Sequence, residues 1–494
     1  MKYFILLSIV AQLCSNAYPQ GYSNNWVFGE SAGLNFNVSP PESFESSIIT
    51  FEACASISDS LGNLLFYTNG GKVWNKNNEL MLNGDSLEIG QLFYEEYGSS
   101  LTQGVIIIPI PGNTYKYYIF YIAYEILPVE SFGIRYAVVD MSPDDGLGKV
   151  VLKNFSIYDS LTVEKMQAVK HANGKYWWLI TRQLSFNVDE LIDVKFITFL
   201  ITPQGIEGPY FQSYGSDNEW TAQNIGNAGE MVFSPNGDKL AYTAGPNLDI
   251  YNFDRNTGEL NNVKTIYDID SSITYGCSFS PDGSKLYVSG VENKALYQYC
   301  LDCATEIELT QSLIYQISGN YSITQMELGP DDKIYIATPY YYSWPHDVYS
   351  IKNQNLCVIN NPNALGLDCD LDTNTVSLGD ARVILGLPNM PNYNLCVVDG
   401  GDCDTLDVGM QELNKEEGIK IYPNPTTNTI TFSTALNSGD LILISSTDGR
   451  IIKQINIQNE MSVIDVSSLS TGMYIINVLD DNSIKLTDKL FIIK

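Results

Sequence analysis

The most regular feature of the sequence is a repeated unit of two short apolar strands joined by a polar turn. Each turn reads Pro, then Asn or Asp, then Gly or Asp, and this combination suits a tight turn because proline presets φ and the next residues adopt positive φ readily. The closest copies cover residues 231–242, 277–288 and 326–337. Looser copies begin at positions 53, 105 and 167. Every copy predicts a β-hairpin.

The spacing of these hairpins predicts how they assemble. Their first residues are 52, 62, 64, 46 and 49 residues apart, which leaves room for a four-stranded unit and its loops. Self-similarity with this period is typical of β-propellers, whose blades bury their apolar faces against one another. We therefore predict an all-β protein with a propeller of seven blades, or six as the alternative. Residues 25–29 and 33–36 are expected to complete the last blade with strands from 347–378, which closes the ring.

A second β-domain follows the body. Around residues 388–418 the pattern dissolves into Asn, Pro, Gly and Asp and ends in an acidic stretch, which indicates a linker. Short alternating strands then resume, with Asp448-Gly449 as a hairpin turn between two of them. Six or seven strands in about 75 residues predict a small immunoglobulin-like β-sandwich. The predicted organisation is a signal peptide at 1–17, the propeller at 18–392, a linker at 393–418 and the sandwich at 419–494.

The first residues have the pattern of an export signal. One positive charge precedes an apolar run at residues 3–13 and a small-x-small end at 15–17, which predicts a signal peptide cleaved after Ala17. Lipidation of Cys14 is the alternative, but Leu13 stands where a lipoprotein signal has a small residue. No other segment reaches the roughly 20 apolar residues that cross a bilayer, so we predict no membrane-spanning segment.

Composition and charge favour a folded protein that works outside the cell. The 33 Tyr and 19 Phe residues are typical of strands. Asp and Glu number 57 against 27 Lys and Arg, which gives a formal net charge of −30. Such a surface repels phosphate backbones and anionic membranes, because binding to them needs clustered Lys and Arg. We therefore expect no nucleic-acid partner, and we interpret the acidity as a source of solubility.

Cysteine usage is compatible with an exported chain. Eight cysteines remain after the predicted cleavage, an even number that permits disulfides. Cys300 and Cys303 form a C-x-x-C, for which a structural bridge or free thiols are expected, because no second pair stands at zinc spacing and the chain has 2 His. Two further pairs, Cys396 with Cys403 and Cys357 with Cys369, are compatible with local loop closure, and the connectivity does not follow from the sequence.

Candidate chemistry is sparse. His171 is expected to be a turn residue rather than a base. His346 lies in an aromatic loop at 341–347, which could stack on sugar rings or pack as a connector, and packing is favoured. Residues 368–374 imitate a calcium loop but lack its Gly and Glu. No spacing selects a glycosidase pair among the 57 acids, and no phosphate-binding or zinc-protease motif is present. We predict no catalytic residue, no metal site and no cofactor, and ligand-binding residues stay unassigned.

The C-terminal β-domain carries a recognisable series of motifs. A Tyr-Pro-Asn-Pro segment opens it, an Asp-Gly-Arg turn and a Leu-Ser-Thr-Gly-Met-Tyr segment follow in order, and an apolar strand with lysines ends it. Together they resemble the type A sorting domain of the type IX secretion system of Bacteroidota. The resemblance implies Sec export, passage across the outer membrane with this domain as the address, and its removal there. The implied sorting-signal residues are Tyr422, Pro423, Asn424, Pro425, Asp448, Gly449, Gly472 and Tyr474.

The body also resembles a known group, the WD40-like propeller domains found upstream of such tails. The matching stretches include residues 25–36, 54–59, 62–70 and 279–288. The resemblance implies a fold and a location, because this group has no activity that transfers to the chain.

Three functions fit these features. We expect a secreted or cell-surface, non-enzymatic module that binds a glycan or protein through loops at one mouth of the ring, with the type IX machinery as its export partner. A polysaccharide hydrolase or lyase with carboxylates in the central funnel is the first alternative. A structural component of the surface or gliding apparatus is the second. Converging carboxylates beside an Arg or His favour the enzyme, whereas an aromatic mouth favours binding.

Overall fold

The structure is a computed structural model of the 494-residue chain. The chain divides into two compact units, Met1–Asp404 and Thr405–Lys494, and each is described by itself. The predicted signal peptide, with Cys14 and Ala17, lies outside the described residues. The structure describes residues 21–87, 98–125, 130–183, 195–213, 227–340, 348–398, 421–424, 426–446, 451–459, 461–479 and 484–494.

Antiparallel sheets account for nearly all regular structure in the first unit, and its described residues form seven of them. Two sheets have three strands: β1 (Asn25–Phe28), β2 (Glu30–Asn35) and β3 (Glu42–Ile49), then β4 (Ala55–Ser58), β5 (Leu64–Thr68) and β6 (Val73–Asn75). Two four-stranded sheets follow: β7 (Val105–Pro109), β8 (Lys116–Glu125), β9 (Glu130–Asp140) and β10 (Lys149–Tyr158), then β11 (Thr162–Lys170), β12 (Trp177–Gln183), β13 (Phe196–Thr202) and β14 (Gly205–Gln212).

Three more four-stranded sheets complete the unit. Their strands are β15 (Met231–Phe233), β16 (Lys239–Ala244), β17 (Asn247–Asp254) and β18 (Glu259–Ile266), then β19 (Thr274–Phe279), β20 (Lys285–Gly290), β21 (Ala295–Cys300) and β22 (Ser312–Gln316), then β23 (Met326–Leu328), β24 (Ile334–Ile336), β25 (Asn355–Ile359) and β26 (Leu371–Ser377). Short three-ten helices, without any α-helix, complete the described secondary structure at Gly21–Ser23, Asp144–Gly146, Ile307–Thr310 and Gly366–Cys369.

The repeated hairpins of the sequence are the first two strands of six of these sheets. The pairs are β4–β5, β7–β8, β11–β12, β15–β16, β19–β20 and β23–β24. At the fourth position of the three closest turns the backbone has positive φ: +75° at Gly237, +70° at Gly283 and +62° at Asp332. Glycine occupies this region without strain, whereas aspartate does so at some cost. The predicted hairpins are confirmed.

The sheets follow one another around a ring. The first strand of each sheet lies next to the first strand of the following one, in the order β1, β4, β7, β11, β15, β19 and β23. The last sheet returns to the first, because the ring of Tyr335 on β24 packs edge-on against Trp26 on β1 with centroids 5.4 Å apart. This radial arrangement is a β-propeller, so the predicted fold class is confirmed. The number of blades stays a prediction, since two sheets have three strands in the described residues.

The prediction for the N-terminal strands is wrong. β1 and β2 pair with each other and with β3, whereas the last sheet is completed by its own strands β25 and β26. The sequence hid β3, because most of Glu42–Ile49 is polar and only two of its eight positions are fully buried. The first sheet is therefore a unit of its own and lends no strand to the last one.

A segment without regular secondary structure crosses the middle of the ring. Residues 383–395, which we call the central segment, follow the last sheet and bury a series of apolar side chains among the inner strands. Leu385 illustrates the contacts, since its N–H donates to the Phe51 carbonyl (3.0 Å) and its carbonyl accepts from the Thr324 hydroxyl (2.9 Å). The buried apolar residues of the segment are Val383, Ile384, Leu387, Met390, Tyr393 and Leu395.

Asn389 ties this segment to two inner strands, β7 and β11, and to the residue that precedes β4. Its Nδ2 donates to the carbonyls of Val105 (3.1 Å) and Met166 (2.9 Å), and its Oδ1 accepts from Gln167 Nε2 (3.0 Å). Its backbone N–H donates to the Cys54 carbonyl at 2.8 Å. Because buried polar groups need partners, these bonds hold the segment in one position and satisfy the strands around it.

The start of the predicted linker packs with the propeller. Tyr393 donates from its hydroxyl to the Ile107 carbonyl (2.9 Å), and the Val398 N–H donates to the Ala172 carbonyl (2.9 Å). Residues 399–418 lie outside the described residues. The domain boundaries stay predictions.

The second unit contains two sheets that share one core. Its strands are β27 (Ile421–Tyr422), β28 (Thr429–Leu436), β29 (Leu441–Ser446), β30 (Ile451–Asn456), β31 (Met461–Asp465), β32 (Gly472–Leu479) and β33 (Ile484–Ile492). One sheet has the order β27-β28-β31 and the other β30-β29-β32-β33. Residues from both sheets, such as Ile430, Ile442 and Ile476, are fully buried together. The immunoglobulin-like classification stays a prediction, and the Asp448-Gly449 turn lies outside the described residues.

One predicted cysteine pair is present and one is not. Cys300 and Cys303 form a disulfide, so the C-x-x-C is a local bridge at the end of β21. The pair Cys357 and Cys369, which the sequence left open, does not form a disulfide, because both are buried free thiols on separate elements, β25 and the three-ten helix before β26. The partner proposed for Cys396 lies outside the described residues, so that pairing stays a prediction. In the part of the chain that the structure describes, no helix has the length and apolar character to cross a lipid bilayer.

Candidate functional site

A cavity of about 430 Å³ lies where the inner strands end in their hairpin turns. We call it the mouth cavity. Phe233, Phe279 and Leu328, the last residues of β15, β19 and β23, line it from equivalent positions of the three closest repeats. The proline of each following turn adds to the rim. The repeated sequence therefore builds this wall of the cavity.

The rest of the mouth cavity comes from the first sheet and the central segment. Trp26 and Phe36 line it from the first sheet, with ring centroids 4.7 Å apart. Met390, Asn392 and Leu395 line it from the central segment. The central segment thus closes the floor, and the ring has a recess at this end rather than an open channel.

The charges at the mouth cavity have one sign. Glu327, Asp331 and Asp332 line it, and the described lining residues include no Lys, Arg or His. Asp331 accepts a hydrogen bond from the Tyr335 hydroxyl at 2.8 Å. Burial, together with the nearby charge of Glu230, raises the pKa of Glu327 well above its usual value. The cavity therefore combines aromatic rings with carboxyl groups and amides, a lining suited to a small polar ligand.

A second group of polar side chains lies at the other ends of the inner strands. The Tyr275 hydroxyl donates to the Glu52 carboxylate, and both residues are buried. Glu164 Oε1 accepts from Asn227 Nδ2 (3.0 Å) and Glu164 Oε2 accepts weakly from the Thr102 hydroxyl (3.3 Å). Burial raises the pKa of both carboxyls, and the charge of Glu164 raises that of Glu52 further.

Two more ionisable groups are enclosed near this set. Burial lowers the pKa of Lys165 to about 7, and its ammonium lies 4.1 Å from the centre of the Tyr242 ring. Burial raises the pKa of Glu230 to about 8, although its Oε2 accepts from the backbone N–H groups of Cys277 (2.8 Å) and Met326 (3.3 Å). Glu230 and Lys165 are 3% and 0% exposed, so neither reaches a ligand in solution.

The structure brings several predicted sorting-signal residues to the last strand. Asn424 Oδ1 accepts from the Phe491 N–H at 2.9 Å, which fixes the Tyr-Pro-Asn-Pro segment against β33. Gly472 and Tyr474 on β32 pair with Ile492 and Leu490 on the same strand. Pro425, Asp448 and Gly449 lie outside the described residues. The two ends of the motif series thus meet, although 50 residues separate them in the sequence.

Other residues singled out from the sequence are dispersed. His171 lies in the β11–β12 turn, where its Nδ1 accepts from the Asn173 N–H (3.1 Å) and its ring stacks near Trp178. His346 and its aromatic loop lie outside the described residues. Asp372, from the calcium-like stretch, accepts from Asn360 Nδ2 at 3.0 Å. Around Cys300 the described residues do bring three metal-ligating side chains together, but both cysteine sulfurs there are in the disulfide.

Sequence reasoning missed the residues of the mouth cavity. Phe233 and Phe279 read as ordinary strand residues, and Trp26 as part of a strand with no site assigned. The signal that could have found them is the repeat itself, since residues that precede equivalent turns of a propeller gather at one mouth. Asp332 is the exception among these residues, because the equivalent turns of the other two closest repeats have glycine, Gly237 and Gly283.

Comparison with known proteins identifies the second unit. Residues 420–494 match the family model described as secretion system C-terminal sorting domain. This confirms the resemblance to the type IX sorting domain, and with it export to the cell surface or the medium. No curated protein matches the chain.

Solved structures similar to the chain include several propeller proteins. A protein from Lactobacillus plantarum is 12% identical, with 74% of this chain and 98% of that chain covered and a TM-score of 0.43. A putative 6-phosphogluconolactonase from Bacteroides uniformis is 13% identical over 72% and 98% of the two chains, with a TM-score of 0.40. The β-propeller domain of Cps50 (Swd1) from Myceliophteria thermophila is 14% identical over 65% and 95%, with a TM-score of 0.36. At these values the likenesses carry no argument about function.

Proposed function

We propose that this protein is a secreted or cell-surface propeller, exported by the type IX secretion system, that binds a ligand in the mouth cavity without transforming it. The observation that carries the proposal is the cavity of about 430 Å³, lined by aromatic, amide and carboxyl groups. Its volume falls in the range of about 300–1,000 Å³ that is typical of small-ligand sites. A recess of this kind is built to enclose a compact group.

A glycan suits the mouth cavity better than a protein surface does. Phe36 and Phe233 are half-buried and line the cavity, and aromatic faces pack against the apolar faces of sugar rings. Asn24 and Asn392 supply amide groups for sugar hydroxyls. A stable protein interface covers about 800 Å² on each partner and is commonly flatter than this recess.

Export gives the binding function its location. We infer a signal peptide that ends at Ala17, followed by a sorting signal in the second unit. The support is the family match over residues 420–494 and the meeting of Asn424, Gly472 and Tyr474 at the last strand. Tyr422, 53% exposed beside them, is accessible to a receptor.

A glycan array combined with turnover assays on the same sugars tests the proposal. The purified full chain is expected to retain specific glycans and to leave them intact. Phe233→Ala should weaken binding at least ~10-fold, because it removes a ring from the cavity wall. Phe155→Ala is the matched control, since Phe155 is an exposed aromatic residue on β10 that does not line the cavity. Hydrolysis by the wild type, or equal effects of the two variants, would overturn the proposal.

A hydrolase is the second candidate, favoured by Glu52 and Glu164. Carboxyl groups with raised pKa values act as general acids in glycosidases. Glu164 is half-buried, whereas Glu52 is enclosed and bonded to Tyr275. If the protein is a hydrolase and turnover is detected, Glu164→Gln should abolish the turnover. The same variant should leave binding at the mouth cavity unchanged.

A further inference from the structure

We infer that the mouth cavity takes a glycan that carries a free ammonium group, that is, an unacetylated amino sugar. The inference rests on the proposed function, because it names the ligand class of the same cavity. Four independent features of the described residues support it: the sign of the charge, two carboxyl groups without partners, one unfavourable backbone conformation and the mixed aromatic lining.

The sign of the charge is the first feature. Three carboxyl groups and no basic side chain stand among the described lining residues. The whole chain has a formal net charge of −30, so its field also draws cations toward the surface. An anionic glycan such as a uronate would meet repulsion from both sources, whereas an ammonium group would be attracted by both.

Two of these carboxyl groups have no partner among the residues that the structure describes. Asp331 is bonded to Tyr335, but the carboxyl groups of Glu327 and Asp332 make no hydrogen bond or ion pair with any described residue. A half-buried carboxyl group without a partner is costly, and the cost falls when a positive charge binds beside it. A bound cation would therefore stabilise the carboxyl group of Glu327.

The backbone at Asp332 is the third feature. Its φ of +62° lies where Gly237 and Gly283 stand in the equivalent turns. A residue other than glycine in this region carries strain, and such strain tends to persist at functional positions. Aspartate tolerates this region better than most residues do, and here it adds a carboxyl group to the cavity at a position where the other two repeats have glycine.

The mixed lining favours a sugar over a lysine side chain. An extended alkylammonium needs a narrow channel, whereas this cavity of about 430 Å³ is bounded by Phe36 and Phe233 on its walls and by amides between them. The Trp26 ring also lines it. Ring faces, amides and carboxyl groups together match the apolar face, the hydroxyls and the ammonium of an amino sugar.

The test uses calorimetric titration of the full chain with defined disaccharides. The probes are the β-1,4-linked dimer of glucosamine, its diacetylated counterpart and cellobiose, with Nα-acetyl-lysine amide as the peptide arm. The glucosamine dimer should bind at least ~10-fold more tightly than each of the other three, because a charge-assisted hydrogen bond contributes about 1.5–3 kcal/mol. Equal or tighter binding of a neutral dimer, or of the lysine amide, contradicts the inference.

Two variants assign the effect to the carboxyl groups. Glu327→Gln should lower the affinity for the glucosamine dimer at least ~10-fold while the fold is kept, since the amide has the same shape. Asp332→Gly should weaken binding and at the same time raise thermal stability, because glycine relieves the positive φ. Glu259→Gln, at an exposed position outside the cavity, is the matched control. The inference is overturned if neither Glu327→Gln nor Asp332→Gly lowers the affinity for the glucosamine dimer.

The pH dependence gives a readout that a purely structural role would not produce. Burial and the charge of Glu230 raise the pKa of Glu327, and Tyr393 lies close to Glu327. Binding of an ammonium should therefore release a proton from Glu327, so affinity in the wild type should rise with pH over the range in which Glu327 loses its proton, and it should rise less in Glu327→Gln.

The outcomes separate this inference from the proposed function. If a neutral dimer binds best and Phe233→Ala abolishes that binding, the binding function stands and the inference on charge falls. If no dimer binds and the glycan array is empty, the glycan-binding function falls as well.

Discussion

At the scale of single residues, the propeller buries carboxyl groups whose ionised form would be more stable in water. Glu230 is 3% exposed, and its raised pKa of about 8 reflects burial that two backbone N–H donors only partly offset. An unfolded chain releases this proton near the usual value of 4.5, whereas the folded chain keeps it until about 8. The folded state therefore binds more protons in that window, and stability falls as pH rises through it.

Glu230→Gln should remove this pH dependence. The amide oxygen still accepts from Cys277, and no charge has to be buried. The difference in Tm, variant minus wild type, should increase by ~2 °C or more between pH 5 and pH 9. Scanning calorimetry at a series of pH values measures it, with the exposed Glu259→Gln as control. A difference that stays flat with pH argues against a protonated Glu230.

At the scale of elements, the ring depends on a segment that has no secondary structure. The central segment, residues 383–395, bonds to strands that lie far apart in sequence, through Asn389 above all. Strand exchange between the first and last sheets does not close this ring, since each has its own strands. The central segment takes over part of that task, because it contacts several inner strands simultaneously.

Asn389→Ala should therefore destabilise the propeller strongly. It removes the bonds that Asn389 makes to the buried carbonyls of Val105 and Met166 and to Gln167 Nε2, which costs ~2 kcal/mol or more. Asn392→Ala is the matched control, since Asn392 is exposed, donates to the Pro235 carbonyl and accepts only from the nearby Asn394 N–H among the described residues. Thermal denaturation of both variants gives the comparison. Equal changes in Tm would show that the central segment is not a structural tie.

At the scale of the whole molecule, the chain consists of a propeller unit and a sorting unit. The central segment lies inside the first unit, Met1–Asp404, so we expect the ring to stay intact when the second unit is removed. The second unit matches the sorting-domain family over 420–494. The proposed binding site and the export address therefore lie in different units of the chain.

Deletion of residues 419–494 should trap a folded propeller in the periplasm. Cell fractionation should find the truncated chain there and the full chain at the surface or in the medium. Resistance to limited proteolysis should be the same for both, because the ring is complete by residue 398. Surface display of the truncated chain would refute the role of the domain as an address.

The sequence by itself determined the local structure and the export route. The Pro-Asn-Gly and Pro-Asp-Gly turns fixed the hairpins, their period fixed the ring, and the motif series of the last 76 residues fixed the sorting domain. These inferences succeeded because turn chemistry and strand pairing between neighbours are local properties. The strand Glu42–Ile49 was not predicted, because most of its residues are polar and show no alternation of apolar and polar positions.

Only the tertiary structure decided what fills the ring and what lines its mouth. Residues 383–395 have the composition of a linker, and their burial follows from amide and carbonyl groups on strands up to 286 residues away in sequence, as for Tyr393 and Ile107. The mouth cavity likewise joins Trp26, Phe233 and Glu327 across three sheets. No local pattern encodes such meetings, because they depend on how the whole ring closes.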